Sequence, residues 1–257
     1  MTQTERLAFL IKYLINENRK LKSMDFSAKD IAGKHLLRSL MNIRPPKAVA
    51  GEFLEVQNAY LQEECIRKGI VLLSDISPVQ PGIYLWQGDI TRLSVDAIVN
   101  AANSALLGCF VPCHGCIDNA IHSAAGVELR LECSRIMEKQ QSEEPTGKAK
   151  ITKAYNLPCR YVLHTVGPII HEVVTGQDCH LLSDCYHSCL ELAAAYQLKS
   201  IAFCCISTGE FHFPNEKAAE IAIQTVQDYQ KKNQNRLEVV FNVFKESDYE
   251  IYKQLLG

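Results

Sequence analysis

Residues 108–122, GCFVPCHGCIDNAIH, place three cysteines and a histidine, Cys109, Cys113, His114 and Cys116, within one short stretch. Thiolate and imidazole are ligands that zinc prefers, and a catalytic zinc takes three protein ligands while leaving a fourth position open. Two cysteines with the histidine supply that number, and two thiolates offset the charge of a dication. Spacing alone leaves Cys113 eligible beside Cys109 and Cys116, because a tight loop can turn either neighbouring thiol inward. The competing chemistry is a redox pair, Cys113 with Cys116, at a helix N-terminus, where thiol pKa falls. That pair gives no role to Cys109 or His114. Pro-Cys-x-x-Cys is also half of a zinc-deaminase signature, but the His-x-Glu it needs does not occur in the chain. The plainest alternative is a loop of ordinary buried thiols.

Other residues have chemical and structural readings side by side. Asp118 opens an apolar run and, alone, reads as an acid meeting the dipole of a helix start. Asn103 in NAAN reads as a turn residue, Asn100 as structural, and Asp89 in GDIT as a cap at a strand end. In STGEFHFP, Ser207, Thr208 and Gly209 offer hydroxyls and unobstructed amides ahead of a helix expected near Pro214, which is the composition of an anion-binding loop. His122 and His164 titrate near neutrality, and His122 stands one helical turn from Asp118. Both nevertheless read as satisfied structural histidines. Tyr84, Trp86 and PTGKAKIT read as strand and turn.

These groups need a scaffold, and the pattern supplies one. TQTE places a Thr three residues before Glu5 as a capping box, and Leu7, Leu10, Ile11, Leu14 and Ile15 follow one helical face. A second helix is expected from near Ser27 through Leu37, Leu40 and Met41 to RPP, and a third through Phe53, Val56, Tyr60 and Leu61. SDISPVQPG then breaks the periodicity, which places a boundary near residue 80: a helical extension over 1–80 and a second domain over 81–257. From IYLWQGDIT onward short apolar strands (VDAIVNAA, RYVLHTVG, SIAFCCIST, LEVVFNVF) alternate with helical stripes. One stripe runs through Leu182, Cys185, Cys189, Leu192, Ala193 and Tyr196, the other through Ala218, Ile221, Ala222, Thr225 and Tyr229. Alternation of this kind predicts an α/β fold with a largely parallel sheet covered on both faces. Ligands of such sheets sit beyond the carboxyl ends of the strands, which selects QGDIT, the stretch from NAAN to Asp118, and STGEFHFP.

The chain has 257 residues, 22% charged and 47% hydrophobic, with a formal net charge of -2. A general polyanion binder carries basic excess, so a nucleic-acid partner is not expected. Neither is a membrane partner, since no apolar run reaches the length of a bilayer span and the N-terminus lacks the order of an export signal. Eleven cysteines, an odd number spread through expected helices and strands, predict reduced thiols and a cytoplasmic setting. Most, with Cys204, Cys205, Cys185 and Cys189 foremost, read as small core residues.

GDIT, VDAIVNAAN, DNAIHSAAG, PTGKAKIT, YVLHTVGP and ISTGEFHFP together resemble the macrodomain family, the ADP-ribose-binding fold, over most of residues 83–257. Where most macrodomains have a glycine-rich loop before the aspartate, this chain has GCFVPCHGC, the pattern of the zinc-dependent microbial branch. The resemblance implies a three-layer α/β/α domain with a mixed, largely parallel sheet, preceded by a helical extension. It also implies an enzyme, a zinc-dependent hydrolase that removes mono-ADP-ribose from a carboxylate or other oxygen of a protein side chain, an acidic one by preference; a monomer is expected. A non-catalytic ADP-ribose reader is the alternative. The implied zinc ligands are Cys109, His114 and Cys116. Asp118 is implied as catalytic or water-orienting, with Asn103 on the distal ribose. Asp89 and the Ile90 amide would meet adenine, Ser207, Thr208 and Gly209 the diphosphate, and Phe211 the ribose. Phe244 reads either as an adenine stack or as a core strand residue. Glu210 and His212 receive no role.

Overall fold

A computed structural model of the chain describes residues 1–18, 30–233 and 237–257. Helix α1 spans Gln3–Glu17, and the expected capping box closes it: the Thr2 hydroxyl accepts the Glu5 N–H and the Glu5 carboxylate accepts the Thr2 N–H. The expected start of the second helix near Ser27 lies outside the described residues; α2 is described over Asp30–Ile43 and α3 over Gly51–Lys68. Every apolar residue expected on the inner face of α1 is buried, and these residues form one cluster with Leu37, Leu40 and Met41 of α2 and Phe53 and Tyr60 of α3. Val127 belongs to the same cluster. It opens α5 (Val127–Gln140), so the N-terminal helices rest on the body of the protein.

The remaining elements are β1 (Val71–Leu72), β2 (Pro78–Gln80), β3 (Ile83–Gln87), β4 (Leu93–Ser94), β5 (Ala97–Ala101), α4 (Ile117–Ala125), β6 (Ala149–Lys153), β7 (Tyr161–Thr165), α6 (Gly176–Ala195), β8 (Ser200–Phe203), α7 (Asn215–Lys232), β9 (Glu238–Val243) and α8 (Glu246–Leu256). Seven strands form one sheet in the order β2-β3-β9-β8-β5-β7-β6. The five inner strands run parallel, and only β2 and β6 at the edges are antiparallel to their neighbours. The central strands are apolar and buried along nearly their whole length, as strands covered on both faces must be. Helices flank this sheet, giving the expected α/β/α layering: α7 packs on α6 and α8, which lie on the strands, and α4 and α5 pack against β5 and β6. On the N-terminal side of residue 80, β1 lies beside β4 and β2 beside β3, so the pairing of strands begins at Val71.

Leu182, Cys185, Cys189 and Ala193 are buried as their spacing predicts, and so are Ala218, Ala222 and Tyr229 on α7. Tyr196 is not: it caps the end of α6, where the helical stripe no longer faces the core, and sits edge-on to Tyr161 instead. All eleven cysteines are free thiols. Burial pushes the Cys204 thiol up to about 12, which keeps it a protonated core group. Among the described residues no helix is long and apolar enough to cross a membrane.

Candidate active site

One cleft of about 1020 Å³ opens past the carboxyl ends of β3, β9, β8 and β5, where an open α/β sheet is expected to hold ligands. It is lined by every residue singled out for the site: Asp89, Ile90, Asn103, Cys109, His114, Cys116, Asp118, Ser207, Thr208, Gly209 and Phe211. Residues 83–101 and 200–213 supply two of its sides through strand ends. A third side comes from α2 and α3 through Leu37, Arg38, Met41 and Tyr60.

Cys116 is the N-cap of α4, and its Sγ accepts the Asn119 N–H at 3.4 Å. Sulfur here takes the place of the usual oxygen cap, so the residue that starts the helix also faces the cleft. Cys109, His114 and Cys116 each bring a ligand atom to within 4.8 Å of the others. The His114 Nδ1 is buried without a hydrogen-bonding partner, while its Nε2 lies 3.6 Å from Glu210 Oε1. An orphaned ring nitrogen beside two thiols is a donor set suited to a soft divalent cation. Burial first, and then the neighbouring Cys109 and Asp118, push the Cys116 thiol up to about 12 against the stabilising Asn119 N–H. Both sulfurs ionising in this setting would call for a compensating positive charge.

Cys113 stands apart from this trio. Its backbone adopts φ +51°, its Sγ lies 3.2 Å from Ser39 Oγ and 3.3 Å from the His35 carbonyl, and its N–H donates to Asn42 Oδ1 at 2.9 Å. The fourth candidate ligand therefore fastens the loop to α2. That arrangement engages its sulfur with α2 and gives no support to a dithiol pair.

Asp118 is buried beneath the same loop. Its Oδ1 accepts the Asn100 amide at 2.8 Å and its Oδ2 accepts the Asn103 amide at 3.3 Å. Burial raises its pKa to about 6, opposed by the Asn100 hydrogen bond and the Arg130 charge. Asn103 also donates to the Gly108 carbonyl, and its own Oδ1 is buried without a partner. The satisfied structural histidine expected at both positions is found at His164, whose ring nitrogens face Asn100 and Thr152 at 3.1 and 2.9 Å. At His122 it is not: the ring is buried, neither nitrogen has a hydrogen-bonding partner, and Nε2 stands 3.5 Å from Asp118 Oδ1. One turn of α4 brings the pair together, as i,i+4 spacing allows.

At the other end, Asp89 performs its capping role with one oxygen. Oδ1 accepts the Thr91 N–H at 3.0 Å and the Thr91 hydroxyl at 2.6 Å, and Oδ2 faces Lys68 Nζ at 3.4 Å. Burial acts to raise its pKa, but the Thr91 bonds and the Lys68 charge together hold it below the usual carboxylate value. It is an anionic acceptor at the cleft wall. Between the two ends, Ser207 takes φ +65° and its hydroxyl is buried without a partner. Phe213 N–H donates to the Ser207 carbonyl at 2.9 Å and Ile170 N–H to the Phe211 carbonyl at 2.8 Å, which bends residues 207–213 around the cleft. Phe244 is 76% exposed at the rim and lines the cleft, so it is not a core strand residue.

Arg38, Lys68 and Glu210 also line the cleft and went unassigned from sequence. Arg38 and Lys68 lie on helices whose apolar faces explain the pattern, and no motif marks their charged residues. Glu210 sits inside a recognised motif but departs from its usual residue.

The fold and this cleft define a macrodomain. The Macro domain family model matches residues 99–222. A macrodomain of Trypanosoma brucei solved in complex with ADP-ribose is similar to this chain, with a TM-score of 0.67 and 31% identity over 85% of this chain and 95% of that one. A protein-ADP-ribose hydrolase of Treponema medium is 55% identical over the full length of both chains. Another, from Staphylococcus aureus (strain MRSA252), is 48% identical over 95% of this chain and 94% of that protein. The chain belongs to the protein-ADP-ribose hydrolases of the macrodomain family.

Proposed function

We propose that this enzyme hydrolyses the bond between the distal ribose of mono-ADP-ribose and an oxygen of a protein side chain, an acidic one by preference, with zinc at the Cys109, His114 and Cys116 site. The observation that carries this reading is the convergence of those three ligand atoms and Asp118 on one cleft. Zinc bound there supplies a Lewis acid at the sugar end.

The chain's own residues supply the rest. Asp89 offers a carboxylate acceptor to the adenine amine, beside the Ile90 amide, so neither polar group is stranded inside the cleft. Ser207, Thr208 and Gly209 hold the diphosphate, the unpartnered Ser207 hydroxyl finding its acceptor there. Phe211 walls the ribose. These remote contacts position the scissile bond, which converts binding energy into rate. Asn103 orients the distal ribose through its unpartnered oxygen. Asp118, with a pKa near 6, is ionised at neutral pH yet basic enough to accept a proton from the attacking water. Asn100 and Asn103 aim its two oxygens.

The test is hydrolysis of aspartate-, serine- and arginine-linked ADP-ribosylated protein, with and without exhaustive chelation, by the native chain and by Cys116→Ala. Chelation and Cys116→Ala are each expected to lower turnover of the aspartate-linked substrate ~100-fold or more while ADP-ribose still binds. Full activity of chelated, metal-free protein would exclude zinc, and preference for the arginine linkage would exclude the acidic specificity.

A further inference from the structure

Cys109, His114 and Cys116 sit on the connection from β5 to α4, which has no helix or strand of its own between residues 102 and 116. Three of its residues, Leu106, Gly108 and Cys113, adopt positive φ, and two of these are not glycine. A loop with left-handed non-glycine residues does not hold its shape by local preference. Three metal ligands on such a loop need an external brace, because ligand geometry must be set to a few tenths of an ångström.

The brace is α2. Arg38 Nη2 donates to the His114 carbonyl at 2.9 Å, and its Nε and Nη2 both donate to Asn119 Oδ1, at 3.0 and 2.7 Å. Asn119 is fully buried and passes the contact on in two directions. Its Nδ2 donates to the Val111 carbonyl at 2.9 Å, and its backbone N–H donates to Cys116 Sγ. One guanidinium thus ties the backbone of one proposed ligand to the residue that touches another. On the same helix, Asn42 accepts the N–H of the left-handed Cys113, and Ser39 contacts its sulfur. Serving the carbonyl and the carboxamide together takes the planar fork of arginine; a lysine ammonium offers one point charge.

We infer that Arg38 is a positioning residue that presets the metal-binding loop, which makes helix α2 of the N-terminal region part of the active site. The inference rests on the proposed zinc ligation by Cys109, His114 and Cys116. It also assigns Cys113 to fastening rather than ligation.

The experiment compares the full chain with Arg38→Ala and Arg38→Lys. Zinc affinity is measured by competition with a chromophoric chelator, and ADP-ribose affinity by calorimetry on the zinc-free proteins. Both variants are expected to bind zinc ~10- to 100-fold more weakly, the range seen when groups supporting a ligand are removed, while zinc-free ADP-ribose affinity stays at the wild-type value. Should Arg38→Ala fail to fold, Arg38→Lys carries the same comparison. Wild-type zinc affinity in the variants overturns the role of Arg38 and leaves the zinc reading standing. An equal fall in zinc-free ADP-ribose affinity also overturns it, by making Arg38 a substrate contact or a general support. If the wild-type chain binds no zinc, the zinc reading fails on its own, and amide hydrogen exchange over residues 109–116 decides: faster exchange in Arg38→Ala supports the brace, and unchanged exchange overturns it.

Discussion

Asp118, the proposed general base, carries a buried charge that works against the stability of the fold. Its pKa is raised to about 6 from 3.8, so the folded state holds the proton more tightly than the unfolded chain does. Ionising it therefore costs stability as pH rises through the window from 3.8 to 6, and the cost is complete at neutral pH. A shift of that size corresponds to about 3 kcal/mol. Asp118→Asn removes the buried charge, but its amide must place a donor against Asn100 or Asn103, which returns part of the gain. In zinc-free protein at pH 7.5, the variant is expected to be more stable to urea by about 1–2 kcal/mol. Its turnover on ADP-ribosylated protein should fall ~10²- to 10⁴-fold, the span of general-base catalysis. Lower stability together with retained turnover would show that Asp118 serves the fold alone.

At the scale of elements, the site depends on the residues just past the end of each strand. β7 ends at Thr165 and Gly167 comes soon after, against the loop that follows β8. A Cβ on Gly167 would stand 2.0 Å from Ser207 Oγ and 2.9 Å from the Ile206 side chain. Glycine there lets the 207–213 loop lie against the strand end, so the requirement is close approach rather than backbone angle. Gly167→Ala is therefore expected to displace the loop and weaken ADP-ribose binding ~10-fold or more, with zinc affinity unchanged; calorimetry with ADP-ribose and chelator competition measure the two separately. α4 supplies the complementary case. It starts at a cysteine cap, presents Asp118 in its first turn, and brings His122 beneath Asp118 one turn later.

Across the whole molecule, the acid response comes from opposing buried groups. Burial lowers the His164 pKa to about 4 and pulls His122 down as well. The unfolded chain binds those protons from about pH 6.5 downward and the folded chain does not, so both histidines withdraw stability as pH falls from 6.5. Asp118 acts in the reverse sense over much of the same range. Wild-type protein should then lose stability gradually between pH 6.5 and 4, and Asp118→Asn, lacking the offset, should lose it more steeply. Urea midpoints at pH 7.5, 5.5 and 4.5 give the comparison, and the advantage of the variant should vanish at the lowest pH. Parallel curves would show that Asp118 is not coupled to folding in this way. The N-terminal helices share in this global stability: Leu10 is completely buried in their cluster, and Leu10→Ala is expected to cost about 2–5 kcal/mol, read from the same urea curves.

Much of this was legible from residues alone. Apolar runs of strand length alternating with helical stripes specify a parallel sheet with covered faces, and the rule about strand ends then selects the loops that carry the site. The capping box of α1 and its buried face come from spacing, because local hydrogen bonding and the 3.6-residue period are sequence-near properties. Motif resemblance placed Asp89, Asn103, Asp118 and Ser207 in a common cleft. What sequence left open was decided by long-range contact. Cys113 and Cys116 are equivalent on paper, and only the packing of α2 against the loop turns Cys113 toward Ser39. His122 and His164 looked alike, yet Thr152 and Asn100, far apart in the chain, reach only one of them. Arg38 showed no signal at all, since a charged residue on the polar side of an amphipathic helix has no pattern of its own. Its partner, Asn119, lies 81 residues away, and only the folded chain brings a guanidinium and a buried carboxamide to hydrogen-bonding distance.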